Sequence, residues 1–96
     1  MGEIKRLYDF SAEKNQQLIE QRGINFEEAI AAIDAGNVLD ILPHPNKMKY
    51  PNQEMYIVNI NGYVYIIPFV AQGTNQVFLK TIFPQRKLTK QYLGGK

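Results

Sequence analysis

The dipeptide Asn61-Gly62 constrains this chain more than any other feature of its sequence. A two-residue hairpin loop of type I′ needs positive φ at both central positions, which asparagine and glycine tolerate best. The flanking runs, Met55–Ile60 and Tyr63–Phe69, are rich in β-branched and aromatic residues, so loop and flanks agree on a hairpin. With Asn61-Gly62 as the loop, Ile60 faces Tyr63, Val58 faces Tyr65 and Tyr56 faces Ile67 on one side of the sheet. Ile57 faces Ile66, and Asn59 faces Val64, on the other. Both sides are largely apolar. The hairpin is therefore expected at the centre of a sheet, with helices on one face and something else covering part of the other.

Upstream, the period is helical. Ser11 is placed to cap a helix running to about Gln21, stopped by Gly23. Asn25 with Glu28 three residues on makes a capping-box pattern, and Phe26, Ala29, Ile30 and Ile33 then fall on one face. Val38–Leu42 reads as a strand, ended by Pro43-His44-Pro45, and the polar stretch to Gln53 as an exposed loop. After the hairpin, Gln72-Gly73-Thr74-Asn75 turns the chain into a strand from Gln76 to Phe83, and residues 86–93 fit a short terminal helix. The expected architecture is α+β: two N-terminal helices packed on an antiparallel sheet of three to four strands, closed by a short C-terminal helix, in one domain over residues 1–96. Phe26, Ile30, Ile33, Ile57, Val58 and Ile66 are its expected core.

Charge is unevenly spread. Residues 1–54 hold all nine acids against six bases, a net of −3; residues 55–79 carry none; residues 80–96 hold Lys80, Arg86, Lys87, Lys90 and Lys96 with no acid, a net of +5. A basic end beside an acidic first half points to an anionic ligand. With no cysteine and one histidine, His44, set between prolines, the chain offers no metal-ligand cluster, so neither metal nor cofactor is expected. No signal-peptide pattern opens it, and Met55–Val70 is too short and broken to span a bilayer. A cytoplasmic protein without membrane contact is the expectation, and absent cysteines agree with a reducing compartment. Phosphate loops, paired catalytic carboxylates and nucleophile elbows are missing.

Two segments resemble one family. Tyr8-Asp9-Phe10, Lys14-Asn15 and the run Arg22-Gly23-Ile24-Asn25-Phe26-Glu27-Glu28-Ala29 resemble the opening of BrnT-type toxins, with spacing kept. Leu79–Lys87 stands where that family has its last strand and an arginine-bearing turn into the terminal helix. The resemblance implies a RelE-like fold, ribonuclease activity that blocks translation and growth, mRNA as substrate, and a ribbon-helix-helix antitoxin as partner, with DNA contacted only through the antitoxin complex. Two positions depart from the family. Arg22 stands where a histidine is usual, and Pro84-Gln85-Arg86 replaces a small-Ala-Arg turn.

Cleavage of RNA by its own 2′-hydroxyl needs a base, positive charge on the phosphorane and a proton for the leaving oxygen. Arginine suits the middle role, because its planar fork meets two phosphate oxygens at once. Arg86, held behind a strand end and a proline, is the first candidate. Lys80, read as alternating with Phe78 and Ile82 on one strand face, and Arg22 join it as expected catalytic residues. Lys87, Lys90 and Tyr92 are the expected RNA-binding residues. The alternative reading is a catalytically silent domain of the same fold that binds a protein partner or nucleic acid, and the missing family histidine favours it.

Overall fold

The computed structural model describes residues 6–94; Lys96 and residues 1–5, part of the reading above, lie outside the described residues. The element order is β1 (Leu7–Asp9), α1 (Ala12–Arg22), α2 (Phe26–Asp34), β2 (Val38–Pro43), β3 (Gln53–Ile60), β4 (Tyr63–Ala71), β5 (Gln76–Leu79), β6 (Phe83–Pro84) and α3 (Arg86–Leu93).

The helices start where their caps dictate. The Ser11 hydroxyl accepts from the Lys14 N–H at 3.1 Å, and Gly23, at φ 66°, closes α1 through its N–H to the Ile19 carbonyl. The Asn25 side chain accepts from Glu28 N–H at 2.7 Å while the Glu28 carboxylate accepts from Asn25 N–H at 3.3 Å, a complete capping box. Asn15 ties the two helices together. Its Oδ1 accepts from Phe26 N–H at 2.7 Å, and its Nδ2 donates to Glu27 at 3.0 Å. The Lys14-Asn15 and Glu27-Glu28 positions of the family pattern thus build the helical hairpin.

The hairpin forms in the expected register, from Ile60↔Tyr63 through Val58↔Tyr65 to Tyr56↔Ile67. Asn61 and Gly62 both have positive φ, 55° and 84°. The sheet around it is larger than expected. It has six strands in the order β1-β5-β4-β3-β2, with β6 also on β4, and it is mixed: β1 pairs parallel to β5. The expectation of three to four antiparallel strands fails at the N-terminus. Leu7–Asp9 is too short to show a period of its own, and its partner lies about seventy residues away.

The expected strand from Gln76 to Phe83 is broken. Phe69 pairs with Leu79 but Ile66 with Phe83, so Lys80–Ile82 lie opposite only Ile67 and Pro68, a bulge of one residue. Pro68 explains it. In an antiparallel ladder a residue's N–H and C=O point to the same neighbour. The Pro68 carbonyl accepts from Lys80 N–H at 2.8 Å, so its absent N–H lies on that side too, and the ladder stops there. The bulge turns Ile82 over. It is buried beside Val77 and Leu79 instead of sharing the face of Phe78 and Lys80.

Each sheet face therefore has its own core. On one, Leu18, Phe26 and Ala29 of the two helices meet Tyr56, Val58, Ile67, Leu79 and Ile82. Ile30 and Ile33, expected in the core, are half-buried against it, because Ala29 and Ala32 take the inward positions. On the other face, Ile57, Val64 and Ile66 lie under Leu88, Tyr92 and Leu93 of α3. Among the described residues no helix is long and apolar enough to cross a membrane.

Candidate functional site

No polar or charged side chain is buried among the described residues, so any chemistry belongs to the surface. The concentration of cations is on α3. Leu88, Thr89, Tyr92 and Leu93 face the sheet; at 100° per residue this leaves Arg86, Lys90, Lys87 and Gln91 as one continuous outward strip, and all four are exposed. Three polar contacts fix the helix behind that strip. Thr89 Oγ1 accepts from Val64 N–H at 3.0 Å and donates to the Gln85 carbonyl at 2.9 Å, and Tyr92 donates its hydroxyl to Asp40 at 3.1 Å. Burial and the Asp40 carboxylate both raise the Tyr92 pKa above its ordinary value, so the phenol stays a neutral donor.

α1 and α2 carry acids in their first turns, Glu13 on one, Glu27 and Glu28 on the other. α3 carries none there, and Arg86 and Lys87 add to the positive end of its dipole instead. That arrangement is mildly unfavourable without a ligand and favourable with an anion in front of it.

Arg22 arrives from the opposite face. Its Nη1 donates to the Ile82 carbonyl at 2.7 Å, capturing a bulge carbonyl left out of the ladder. The link runs from Pro68, through the bulge, to Arg22, and fixes the strand that leads to Arg86. Lys80 sits at the far end of the same connection, exposed, with Nζ 5.9 Å from the centre of the Phe78 ring. Lys80 and Gln85 are anchored on Pro68 and Val64, four residues along β4, which sets their backbones about 13 Å apart. Arg22 and Arg86 thus share one short segment, and Lys80 stands at its other end. Tyr92 is placed with its hydroxyl on Asp40 and its ring half-buried under the helix.

Sequence reading missed two groups. Arg6 donates to the Tyr56 hydroxyl at 2.9 Å, and Tyr8, beside Tyr56, has its pKa pushed up to about 12, first by burial and then by Tyr56 and Asp34. Nothing local signals this cluster, because the parallel β1 pairing assembles it. The loop between β2 and β3 is the second group: the His44 and Tyr50 rings stand 4.5 Å apart, and Lys49 Nζ lies 5.5 Å from the Tyr50 centroid. Two lysines at alternate positions before a tyrosine, Lys47-Met48-Lys49-Tyr50, were its available signal.

Two helices on one face of a mixed sheet, with a cationic helix on the other, place this chain in the fold of a ribonuclease toxin. One matching crystal structure, at 1.1 Å, is that of the ribonuclease toxin BrnT from Brucella abortus, with a TM-score of 0.61 over 85% of this chain and 97% of that one, at 16% sequence identity. At that identity the likeness carries the fold. No family model and no curated protein sequence matches the chain.

Proposed function

We propose that the chain is the toxin of a toxin–antitoxin pair, a cytoplasmic endoribonuclease that cuts mRNA without a metal and so blocks translation and growth. The observation that carries this reading is the strip of Arg86, Lys87 and Lys90 on the outward face of a helix whose inward face is fixed to the sheet. It lies in an acid-free segment from Lys80 to the chain end, within a fold shared with a ribonuclease toxin. Arg86, at the positive end of α3, is assigned the charge on the phosphorane. Lys80 and Arg22 flank the segment that holds it, and Lys87, Lys90 and Tyr92 belong to the RNA-facing helix. Arg22 serves first as a positioning residue, with one of its five N–H donors committed to Ile82. A ribbon-helix-helix antitoxin is the partner this reading expects, and contact with DNA would come only through that complex.

Arg86→Ala is the test. Losing one preorganised charge donor costs about 10²–10³ in rate. The variant should cleave RNA that much more slowly while melting like the parent, and the parent should keep its activity in chelator. Equal rates for parent and variant would remove Arg86 from the mechanism. RNA left intact by the parent, at any metal concentration, would favour the silent binding domain, which the Arg22–Ile82 contact also accommodates.

A further inference from the structure

α3 covers only part of its sheet face, and the remainder has a definite layout. Strand pairing sets side chains on that face in cross-strand rows. The row Phe83–Ile66–Ile57–Asp40 lies under α3. Beyond it comes Lys80–Pro68–Met55–Leu42, and beyond that Phe78–Val70–Gln53, extended by His44, whose N–H donates to the Gln53 carbonyl. Phe78, Val70, Met55, Leu42 and Gln53 are all half-exposed. The two outer rows form the floor of a shallow trough between α3 and the loop at residues 44–52.

Phe78 in the outermost row and Tyr50, packed on His44 at the β2 side of that row, carry the same device, an aromatic ring with a lysine over it. Lys80 is 5.9 Å from the Phe78 centroid and Lys49 is 5.5 Å from that of Tyr50. Three strand spacings separate Phe78 from His44, about 14 Å. The loop that presents Tyr50 is built, not slack. The His44 ring backs Tyr50 at 4.5 Å, His44 Nδ1 accepts from Asn46 N–H at 3.0 Å, Asn46 Oδ1 accepts from Lys49 N–H at 3.1 Å, and the Tyr50 N–H donates to the Asn46 carbonyl at 2.9 Å. Its tip still exposes Met48 at 94%. The loop at residues 44–52 contains no carboxylate, Glu54 pairs with Phe69 on the opposite face, and Asp40 is held by Tyr92; Asp9 of β1, paired with Phe78, continues the outermost row past β5, with its Oδ1 accepting from Phe10 N–H at 3.0 Å.

We infer that this trough holds single-stranded RNA, with Phe78 and Tyr50 as stacking platforms for two bases and Lys80 and Lys49 taking phosphates beside them. The inference rests on the ribonuclease reading for its choice of ligand. In the unliganded protein the two ammonium groups occupy the ring faces. An exposed cation–π contact contributes about 2- to 5-fold to an equilibrium constant, and base–aromatic stacking roughly 5- to 150-fold, so an incoming base displaces the lysine, which moves to the phosphate. Rings paired with cations suit a ligand that alternates flat bases with negative charge. An acidic peptide would use the lysines and leave the rings idle.

The experiment measures binding of the full chain to a short fluorescent single-stranded RNA with 2′-O-methyl riboses, which cannot undergo attack by its own hydroxyl. Tyr50→Ala and Phe78→Leu should each weaken binding by roughly 5- to 150-fold. Tyr50→Phe and Phe78→Tyr keep the rings and should bind like the parent, which separates stacking from any fold defect. Lys49→Met and Lys80→Met should each lower the slope of log K against log salt by about 0.7. Parental affinity in both Tyr50→Ala and Phe78→Leu overturns the inference. So does polyglutamate that competes as well as RNA in parent and ring variants alike, which would mark the trough as a protein-binding surface. Cleavage of unmodified RNA tells the two readings apart. A parent that cuts RNA with indifferent ring variants loses only the trough, and a parent that binds through both rings without cutting loses only the nuclease.

Discussion

The two faces of the sheet are built to different standards. Under α1 and α2, helices of eleven and nine residues, Phe26, Leu18, Val58 and Ile67 are at most 1% exposed, and the layer is closed. Under α3, of eight residues, Ile57, Val64 and Ile66 are buried, but Leu42, Met55, Val70 and Phe78 in the rows beyond them stay half-exposed. Charge divides the same way. Glu13, Glu20, Glu27, Glu28 and Asp34 lie on the two-helix layer, whereas α3 carries Arg86, Lys87 and Lys90 and no acid, with Asp9 and Asp40 on the sheet face it covers. A field directed across the sheet steers polyanions toward the open face and away from the closed one. The lesson is a division of labour: one face supplies stability, and the other keeps accessible apolar surface beside cations.

The largest expected effect breaks that division from the closed side. Phe26 is 0% exposed, stacks on Phe10 at 4.8 Å between centroids, and begins the helix that Asn15 and Asn25 cap. Phe26→Ala should cost about 3–5 kcal/mol in denaturant unfolding. A loss near 1 kcal/mol would mean that the two-helix layer does not supply most of the stability.

How much of this was legible depends on sequence distance. The Asn61-Gly62 hairpin, its register and the capping box at Asn25 and Glu28 are local, so a few neighbouring residues specify them completely. The apolar character of both hairpin faces also announced a cover on each side. The parallel β1–β5 pair was not legible, because three residues carry no period and their partner is remote. Nor was the bulge. Pro68 could be seen as a missing donor, but which neighbour would lack the bond depends on the sheet order. Hence the sequence reading puts Ile82 on the wrong face, and Arg22, sixty residues from its acceptor, gives no local sign of its contact with the Ile82 carbonyl. In the candidate site, the acid-free basic segment was plain in the sequence. The pairing of the two rings was not, since the fold alone sets Phe78 on the row that ends at His44, against which Tyr50 packs.

Arg22 joins the two faces, and its removal sharpens the comparison at intermediate scale. A charged hydrogen bond to a part-buried carbonyl contributes about 1.5–3 kcal/mol, and leaving the Ile82 carbonyl unsatisfied accounts for most of it. Arg22→Met keeps much of the stem and should lose about that much stability in thermal or denaturant melts. A positioning role predicts that RNA cleavage falls mainly through kcat, with substrate affinity little changed. An unchanged melt with abolished cleavage would move Arg22 into direct contact with the reacting phosphate.

The smallest effect is the most discriminating for the open face. Lys90 is exposed on α3, one turn beyond Arg86, and it lies in the last turn of its helix. Two opposing terms act on it in the unliganded protein. Like charges at i and i+4 repel by about 0.2–0.5 kcal/mol, while a cation near the helix C-terminus gains about 0.3–1 kcal/mol from the dipole. They nearly cancel, so Lys90→Ala should leave stability within about 0.5 kcal/mol. Against RNA nothing cancels. A lysine that neutralises one phosphate of a single strand contributes about 0.7 to the slope of log K against log salt, and its loss should lower the slope by that amount. Binding should therefore weaken at low salt and converge on the parent at high salt, with the cleavage rate at saturating RNA unchanged. A rate loss at saturation as large as that expected for Arg86→Ala would put Lys90 at the reacting phosphate. An unaltered slope would show that RNA does not pass along the outward strip of α3 at all.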